Sequence, residues 1–226
     1  MYSSSSRDLA HRAHLTDSRL IVDLCGGTGV TAEAILSLAP PDARVISLDS
    51  AAAMQRIGRR TINDPRLSWA AAPAEDLAMH APAHAVDAVV CNSAIWKTDV
   101  PAVFASVHRV LRPGGRFVFN VGGGLASVTH PDGQTGHTGP SLRSLIQQIA
   151  ARDYGYTPLP TNGDNLKLPL PAITHHLADV GLLTLVDTEV TAPVHHHGGE
   201  EGMAVDPGIC LPRRRLHPRT ADGDPG

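Results

Sequence analysis

The sequence predicts an α/β fold: a parallel sheet with helices wound over both of its faces. Three observations carry that expectation. Short, continuous apolar runs alternate with longer amphipathic stretches between residues 20 and 121, the pattern of βα units whose strands are buried on both sides. The first apolar run passes directly into Gly26-Gly27-Thr28-Gly29, a turn in which the backbone can bend sharply and approach a ligand. Strong breakers, Pro40-Pro41 and Arg112-Pro113-Gly114-Gly115, fall where the amphipathic stretches have to stop.

The elements follow in order. Residues 1–19 are polar and are expected to form a loose N-terminal segment with one short helix over Arg7–Leu15. Residues 20–24 form the first strand and Val30–Ala39 the first helix of the repeat. Arg44–Leu48 is the second strand, ending at Asp49, and Ser50 is placed to cap a helix over Ala51–Thr61. Leu67–Ala71 and Val86–Cys91 are the third and fourth strands. Val100–Leu111 has helical apolar spacing, and Arg116–Val121 is the fifth strand. Beyond it lie a Gly, Thr, His and Pro-rich loop over 122–140, a helix over Ser141–Arg152, and a second loop over 155–171. A helix over Ile173–Val180 and a late strand over Leu182–Val190 follow. This division gives a domain over residues 20–194 and a tail over 195–226 with too little apolar surface to offset its ordering entropy.

Composition narrows the function. The chain has 226 residues, enough for one α/β domain plus a tail. Its formal net charge of −3 gives no global attraction to a phosphate backbone, so nucleic acid is not the expected partner. Cys25, Cys91 and Cys210 are widely spaced and form no C-x-x-C, which argues against a disulfide framework or a cysteine-rich zinc site. His195-His196-His197 with Glu200 and Glu201 is read as solvated tail, because consecutive residues converge poorly on one ion. No run approaches the ~18 apolar residues of a membrane span, and the N-terminus has no signal-peptide core. The expectation is a cytoplasmic protein with no membrane partner.

In a parallel sheet the right-handed crossovers gather all strand C-termini at one edge, where ligands bind. Three features fall there. Asp23 and Gly26–Gly29 follow the first strand, and the next helix offers free N–H groups and a positive dipole end. Asp49 ends the second strand, where a carboxylate can accept ribose hydroxyls or cap the following helix. Glu75-Asp76 follows the third strand, placed to accept an exocyclic adenine N–H or to remain a solvated pair. Alone, the turn is ambiguous. Gly27-Thr28-Gly29-Val30-Thr31-Ala32 also fits the dinucleotide fingerprint G-x-G-x-x-A, and a tight turn without a ligand is equally open. Three such features at three successive strand ends favour a nucleoside-bearing ligand.

The ordered segments VDLCGGTG, VISLDSAAAM, AAPAEDL, VDAVVCNSAIW and VFASVHRVLRPGGRFVF resemble the class I S-adenosylmethionine-dependent methyltransferases. The small-molecule branch that includes the ubiquinone and menaquinone biosynthesis enzymes is the nearest in character. The resemblance covers residues 18–121 and extends more weakly through HHLADVGLLTLVDTEV. It implies a doubly wound three-layer sandwich around a mostly parallel seven-stranded sheet. The last strand is short or missing here, since only Gly202–Cys210 is available and Pro207 interrupts it. A missing strand would leave the sixth to pair with the fifth or with a second copy in a homodimer.

The resemblance also implies a cofactor, S-adenosyl-L-methionine, and a set of positions. Asp23, Cys25 and the backbone at Gly26, Gly27 and Gly29 would hold its methionine end. Asp49 with Ser50 would bind the ribose, and Met54 would pack on the adenine. Glu75, Asp76 and Leu77 would contact the adenine, and Asn92 and Ser93 would line the sulfonium side. Cys25 stands where relatives usually carry the first glycine of the loop, and is read as a small buried thiol rather than a nucleophile.

Methyl transfer is an in-line displacement that chiefly requires alignment and exclusion of water. An oxygen or acidic-carbon acceptor also calls for a base. His130 and His137, after the fifth strand, are the candidates placed for it. His175 and His176 on the late helix are further ones. Trp96 and Tyr154 are candidate walls of an acceptor pocket, with residues 122–172 as its cover. The sequence CNSAIW lacks the motif of amino-directed nucleic-acid methyltransferases, which again favours a small-molecule acceptor such as a secondary metabolite or quinone-like compound. Two other readings stay open: a nicotinamide-dependent oxidoreductase using the GTGVTA turn, and a methyltransferase fold kept as a partner subunit or a non-methylating cyclase.

Overall fold

The computed structural model describes residues 2–122, 148–153, 155 and 168–182. The chain divides into two compact units, one of Met1–Thr138 with Thr157–Pro193 and one of Gly139–Tyr156 with Val194–Gly226. In the second unit, residues 148–153 are helical. Everything that follows concerns the first.

Its elements are α1 (Tyr2–Arg12), β1 (Leu20–Leu24), α2 (Val30–Leu38), β2 (Arg44–Asp49), α3 (Ala52–Thr61), β3 (Leu67–Ala71), α4 (Leu77–His80), β4 (Val86–Cys91), α5 (Val100–Val110), β5 (Leu111–Phe119) and α6 (Leu170–Asp179). The five strands form one parallel sheet in the order β3-β2-β1-β4-β5. The order reverses between β1 and β4, so a crevice opens at their C-terminal ends. The expected α/β architecture with a parallel, doubly wound sheet is present. The expected sixth strand over Leu182–Val190 lies, but for Leu182, outside the described residues, as does Gly202–Cys210, the candidate for a seventh.

Alternation along the strands builds two cores. Val22, Leu24, Leu48, Val89 and Cys91 face one way, onto Phe104, Val107 and Val103 of α5, Leu77 of α4 and Ile173 of α6. Ile21, Val45, Ala88 and Val90 face the other way, onto α1 and α2. Phe104 is fully buried and stacks edge-on against Phe117, with ring centroids 5.5 Å apart. Burying a side chain of this kind contributes roughly 1.5–3 kcal/mol. Asp87 fastens the opposite end of the sheet by accepting the Arg19 and Leu20 N–H groups at 2.7 and 2.9 Å and Arg112 Nε at 2.6 Å. Among the described residues no helix is long and apolar enough to cross a membrane.

Four expectations are corrected. The N-terminal segment is not loose: α1 begins at Tyr2, and Leu9, Ala10, Ala13 and Leu15 are buried against α2 and the sheet. Ser50 caps nothing, because α3 starts at Ala52 with Ala51 as its N-cap and no side-chain cap. The Ala51 N–H is instead taken at 2.6 Å by Asp49 Oδ1. α5 ends at Val110, and Leu111 is already extended and paired with Val86. Regular pairing then resumes at Arg116, so Arg112–Gly115 is an excursion within β5 rather than a helix cap. α6 starts at Leu170, three residues early, with Pro171 in its first turn, where a missing N–H costs nothing.

Candidate functional site

The site is built at the switch point from the ends of β1, β2, β3 and β4. At the end of β1 the chain turns within five residues. Gly26 N–H bonds Leu48 O at 3.1 Å, and Gly29 N–H bonds Gly26 O at 2.8 Å. Gly27 and Gly29 sit at φ 58° and 89°, the left-handed region that favours glycine. Gly29 also lets the turn lie against its support: a Cβ there would come within 2.6 Å of the Trp69 ring and 2.5 Å of Ile62. Gly58 of α3 has the same role, since its Cβ would meet Trp69 at 2.2 Å and the Thr28 carbonyl at 2.7 Å. Gln55, almost fully buried, ties α3 to the strand ends through Nε2, which donates to Ala70 O at 2.5 Å and Asp49 O at 3.2 Å.

Two carboxylates support the turn in different ways. Asp49 Oδ2 accepts the Gly27 N–H at 2.8 Å, while its other oxygen holds Ala51. Each oxygen keeps a lone pair for another donor. Asp23 lies beneath. It is 1% exposed, and Ser47 Oγ donates to its Oδ2 at 2.9 Å. A Cβ on Gly26 would come within 2.2 Å of that same Oδ2, so only glycine fits over it. Asp23 Oδ1 is buried with no hydrogen-bond partner. Burial raises the Asp23 pKa to about 7, the Ser47 hydrogen bond opposes the shift, the nearby Asp49 charge adds to it, and the weaker contact with the Ala32 N–H again opposes it. Asp23 therefore supports the turn from beneath and offers no exposed contact.

The adenine-side candidates separate. Met54 on α3 and Asp76 in the turn before α4 are exposed, Met54 being 43% accessible. Its Cε lies 3.8 Å from where a Gly27 Cβ would be, so it borders the turn. Glu75 is occupied, accepting the Asp99 N–H at 2.8 Å ahead of α5. The Leu77 side chain is fully buried in the core, so it offers no side-chain surface to a ligand. Ser50 is exposed beside Asp49.

The end of β4 holds a polar cluster that the sequence disclosed only in part. Asn92 Nδ2 donates to Ser5 Oγ at 3.1 Å and Ser6 Oγ at 2.9 Å, both on α1. Ser6 is fully buried and lies 2.9 Å from Thr31 Oγ1 of α2. Ser93, at φ 55°, donates its N–H to Asn120 Oδ1 at 2.6 Å. Trp96 Nε1 donates to the Ser93 carbonyl at 3.2 Å, and Lys97 Nζ lies 4.9 Å from the Trp96 ring centroid. Ser5, Ser6, Thr31, Ser47 and Asn120 were missed. Two carried a signal: Ser47 is a lone hydroxyl in an otherwise apolar strand opposite Asp23, and Asn120 directly follows a strand. His130, His137 and Tyr154 lie outside the described residues. His175 is on exposed helix surface, 3.3 Å from Asp179.

A glycine turn, a carboxylate on the neighbouring strand and a polar cluster thus meet across the switch point of an α/β domain. Comparison with known proteins makes the class specific. Residues 21–115 match a family described as a methyltransferase domain. A trans-aconitate 2-methyltransferase from Azoarcus sp. (strain BH72) is 38% identical over 112 residues, covering 49% of this chain and 42% of the relative. A ubiquinone/menaquinone biosynthesis C-methyltransferase from Caulobacter vibrioides is 31% identical over 119 residues, covering 49% and 46%. The chain thus spans less than half the length of these curated relatives. Among solved structures, geranyl diphosphate methyltransferase in complex with S-adenosylmethionine aligns with a TM-score of 0.56 and 20% identity over 78% of this chain and 63% of that one. Phosphoethanolamine N-methyltransferase 2 from Haemonchus contortus aligns with a TM-score of 0.55 and 18% identity over 79% and 36%. At these identities the two structures bear on the fold alone.

Proposed function

We propose that this protein transfers a methyl group from S-adenosyl-L-methionine to oxygen or carbon of a small molecule, a secondary metabolite or quinone-like compound. The observation that carries the reading is the Gly26–Gly29 turn braced by Asp49, within a segment that matches the methyltransferase domain. The residues fit the cofactor. The orphaned oxygen of Asp23 favours a positive charge at the turn, as an amino-acid ammonium would bring. Asp49 keeps acceptor capacity for ribose hydroxyls. Met54 supplies an apolar surface for a base, and Asp76 an exposed acceptor beside it.

When bound, the cofactor supplies a methyl carbon already activated on a sulfonium. The protein's part is to orient and to exclude water. Asp49 and the turn fix the nucleoside end. Asn92, held by Ser5 and Ser6, and Ser93, held by Asn120, form a rigid polar wall at the end of β4. Trp96 is the proposed wall of the acceptor pocket. For an acceptor that must lose a proton, His130 and His137 are the proposed bases. The same reading puts the protein in the cytoplasm, with a small molecule rather than nucleic acid or membrane as its partner. Homodimerisation would give a sixth strand an edge to pair with.

The test is incubation with isotope-labelled S-adenosylmethionine and a metabolite extract of the producing cell, followed by mass spectrometry of labelled products. A labelled small molecule is expected. Thermal stabilisation by NAD but not by S-adenosylhomocysteine would overturn the proposal.

A further inference from the structure

Two thiols meet at the base of the glycine turn. Cys91, fully buried, is the last residue of β4, and its register partner is Leu24, the last residue of β1. Cys25 comes next. Strand alternation would send its side chain to the face opposite Leu24. The alternation breaks, because Cys25 sits at φ 58°, a left-handed conformation uncommon for a non-glycine residue. Its side chain packs instead against the cluster that holds Cys91, close enough to perturb the Cys91 thiol. Both cysteines are free, and Cys25 is only half-buried. Cys25 lies one residue past the register partner of Cys91, and with strands about 4.8 Å apart and a rise of about 3.3 Å per residue its Cα is about 6 Å from that of Cys91, within the ~4.4–6.8 Å that a disulfide spans.

We propose that Cys25 and Cys91 are an oxidation site, converted by a peroxide into an intramolecular disulfide that pins the start of the glycine turn to the end of β4. In the first step the Cys25 sulfur attacks hydrogen peroxide. An S–O bond forms, the O–O bond breaks, and the released hydroxide leaves as water with the thiol proton. In the second step the Cys91 sulfur attacks the Cys25 sulfur. The S–S bond forms, the S–O bond breaks, and the hydroxyl leaves as a second water with the Cys91 proton. The two thiols together lose two electrons and the peroxide gains them. The order follows from the surroundings. Cys25 is half-buried and Cys91 fully buried, and contact with Cys25, burial and the nearby Asp23 carboxylate hold the Cys91 thiol well above the usual range, so Cys25 reacts first. A ligand seated on the turn would shield Cys25, a corollary that rests on the proposed cofactor.

The experiment uses the full chain carrying Cys210→Ser, treated with hydrogen peroxide and followed by intact mass and tryptic peptide mapping. The expected product has lost two hydrogen atoms, joins the Cys25 and Cys91 peptides, and is restored by dithiothreitol. With Cys91→Ser added, oxidation should stop at a Cys25 sulfenic acid that dimedone traps. Oxidation of Cys25 to sulfinic acid with Cys91 still a free thiol, or a pair that stays unreacted, would overturn the proposal. At ~100 times its Kd, S-adenosylhomocysteine should slow cross-linking by about a hundredfold, the factor by which ligand-free protein falls. Cross-linking at an unchanged rate under saturation would overturn the shielding, and with it the cofactor seat above Cys25, while leaving the disulfide standing.

Discussion

Asp49 accepts the Gly27 N–H at 2.8 Å, so the carboxylate that ends β2 holds the turn that follows β1. A residue expected to serve the ligand thus also builds the ligand's seat. The double role predicts a double loss. Asp49→Ala should weaken S-adenosylhomocysteine binding by about 1–3 kcal/mol, the scale of a lost hydrogen bond to a charged group, and should also lower the melting temperature of the ligand-free protein. Titration calorimetry and thermal denaturation of the same variant check the pair. Unchanged affinity with lowered stability would confine Asp49 to bracing the turn.

The buried Asp23 makes stability depend on pH. Its folded-state pKa is about 7 against 3.8 for an unperturbed carboxyl, with burial the main cause. Between those values the folded chain holds the proton and the unfolded chain releases it. Stability therefore falls as pH rises from about 4 to about 7, and then levels off. The full span corresponds to a cost on the order of 4 kcal/mol. Asp23→Asn keeps the shape and removes the titration. The variant should match the wild type near pH 4 and exceed it increasingly up to pH 7, as read by denaturant melts across that range. A stability difference independent of pH would show that the carboxyl does not titrate there.

The sheet was legible because its strands are buried on both faces. A run such as Val86–Cys91 has no polar residue but Asp87, and the structure returns the same bounds. The glycine turn and Asp49 were legible because they fall at strand ends, where topology gathers them. α1 was obscured for a physical reason. Its inward face joins Leu9 and Ala10 to Ser6, a polar residue made buriable by Thr31 and Asn92, so apolar spacing marks only the second half of the helix, within the expected Arg7–Leu15. Ser50 misled in the opposite way. Its type suits a cap, but Asp49 takes the Ala51 N–H and the helix starts one residue later, at Ala52, with Ala51 as its N-cap. Partners such as Asn120 for Ser93 depend on strand neighbours far apart in sequence, which local pattern does not encode.

Gly26 is required by space rather than by backbone conformation. Its Cβ would stand 2.2 Å from both Asp23 Oδ2 and Ser47 Oγ. Both belong to short side chains, Asp23 and Ser47 are each buried, and the two are bonded to each other. Neither can swing aside without exposing the other's polar atom to apolar core. Gly26→Ala should therefore cost about 1–3 kcal/mol, the range for overpacking. Combined with Ser47→Ala, which clears one of the two clashes but removes the donor to Asp23, the double variant should lose less than the sum of the two single losses. Chemical denaturation of the single and double variants measures this, and a strictly additive double variant would remove the clash as the cause.

Ser6 joins three elements with one hydroxyl. Oγ lies 2.9 Å from Thr31 of α2 and accepts from Asn92 Nδ2 at the end of β4. Ser6→Ala leaves two buried or half-buried polar groups short of a partner, a cost of about 1–3 kcal/mol. α1 should then open more readily, with faster amide exchange in Tyr2–Arg12 than in α2. Asn92 should lose part of its hold as well, so S-adenosylhomocysteine affinity falls although Ser6 is fully buried. A double-mutant cycle with Asn92→Ala separates this from simple loss of packing. If Ser6 acts through Asn92, the two losses overlap and the coupling energy lies at about 0.5–3 kcal/mol. Independent losses that add would assign Ser6 to the α1–α2 contact alone.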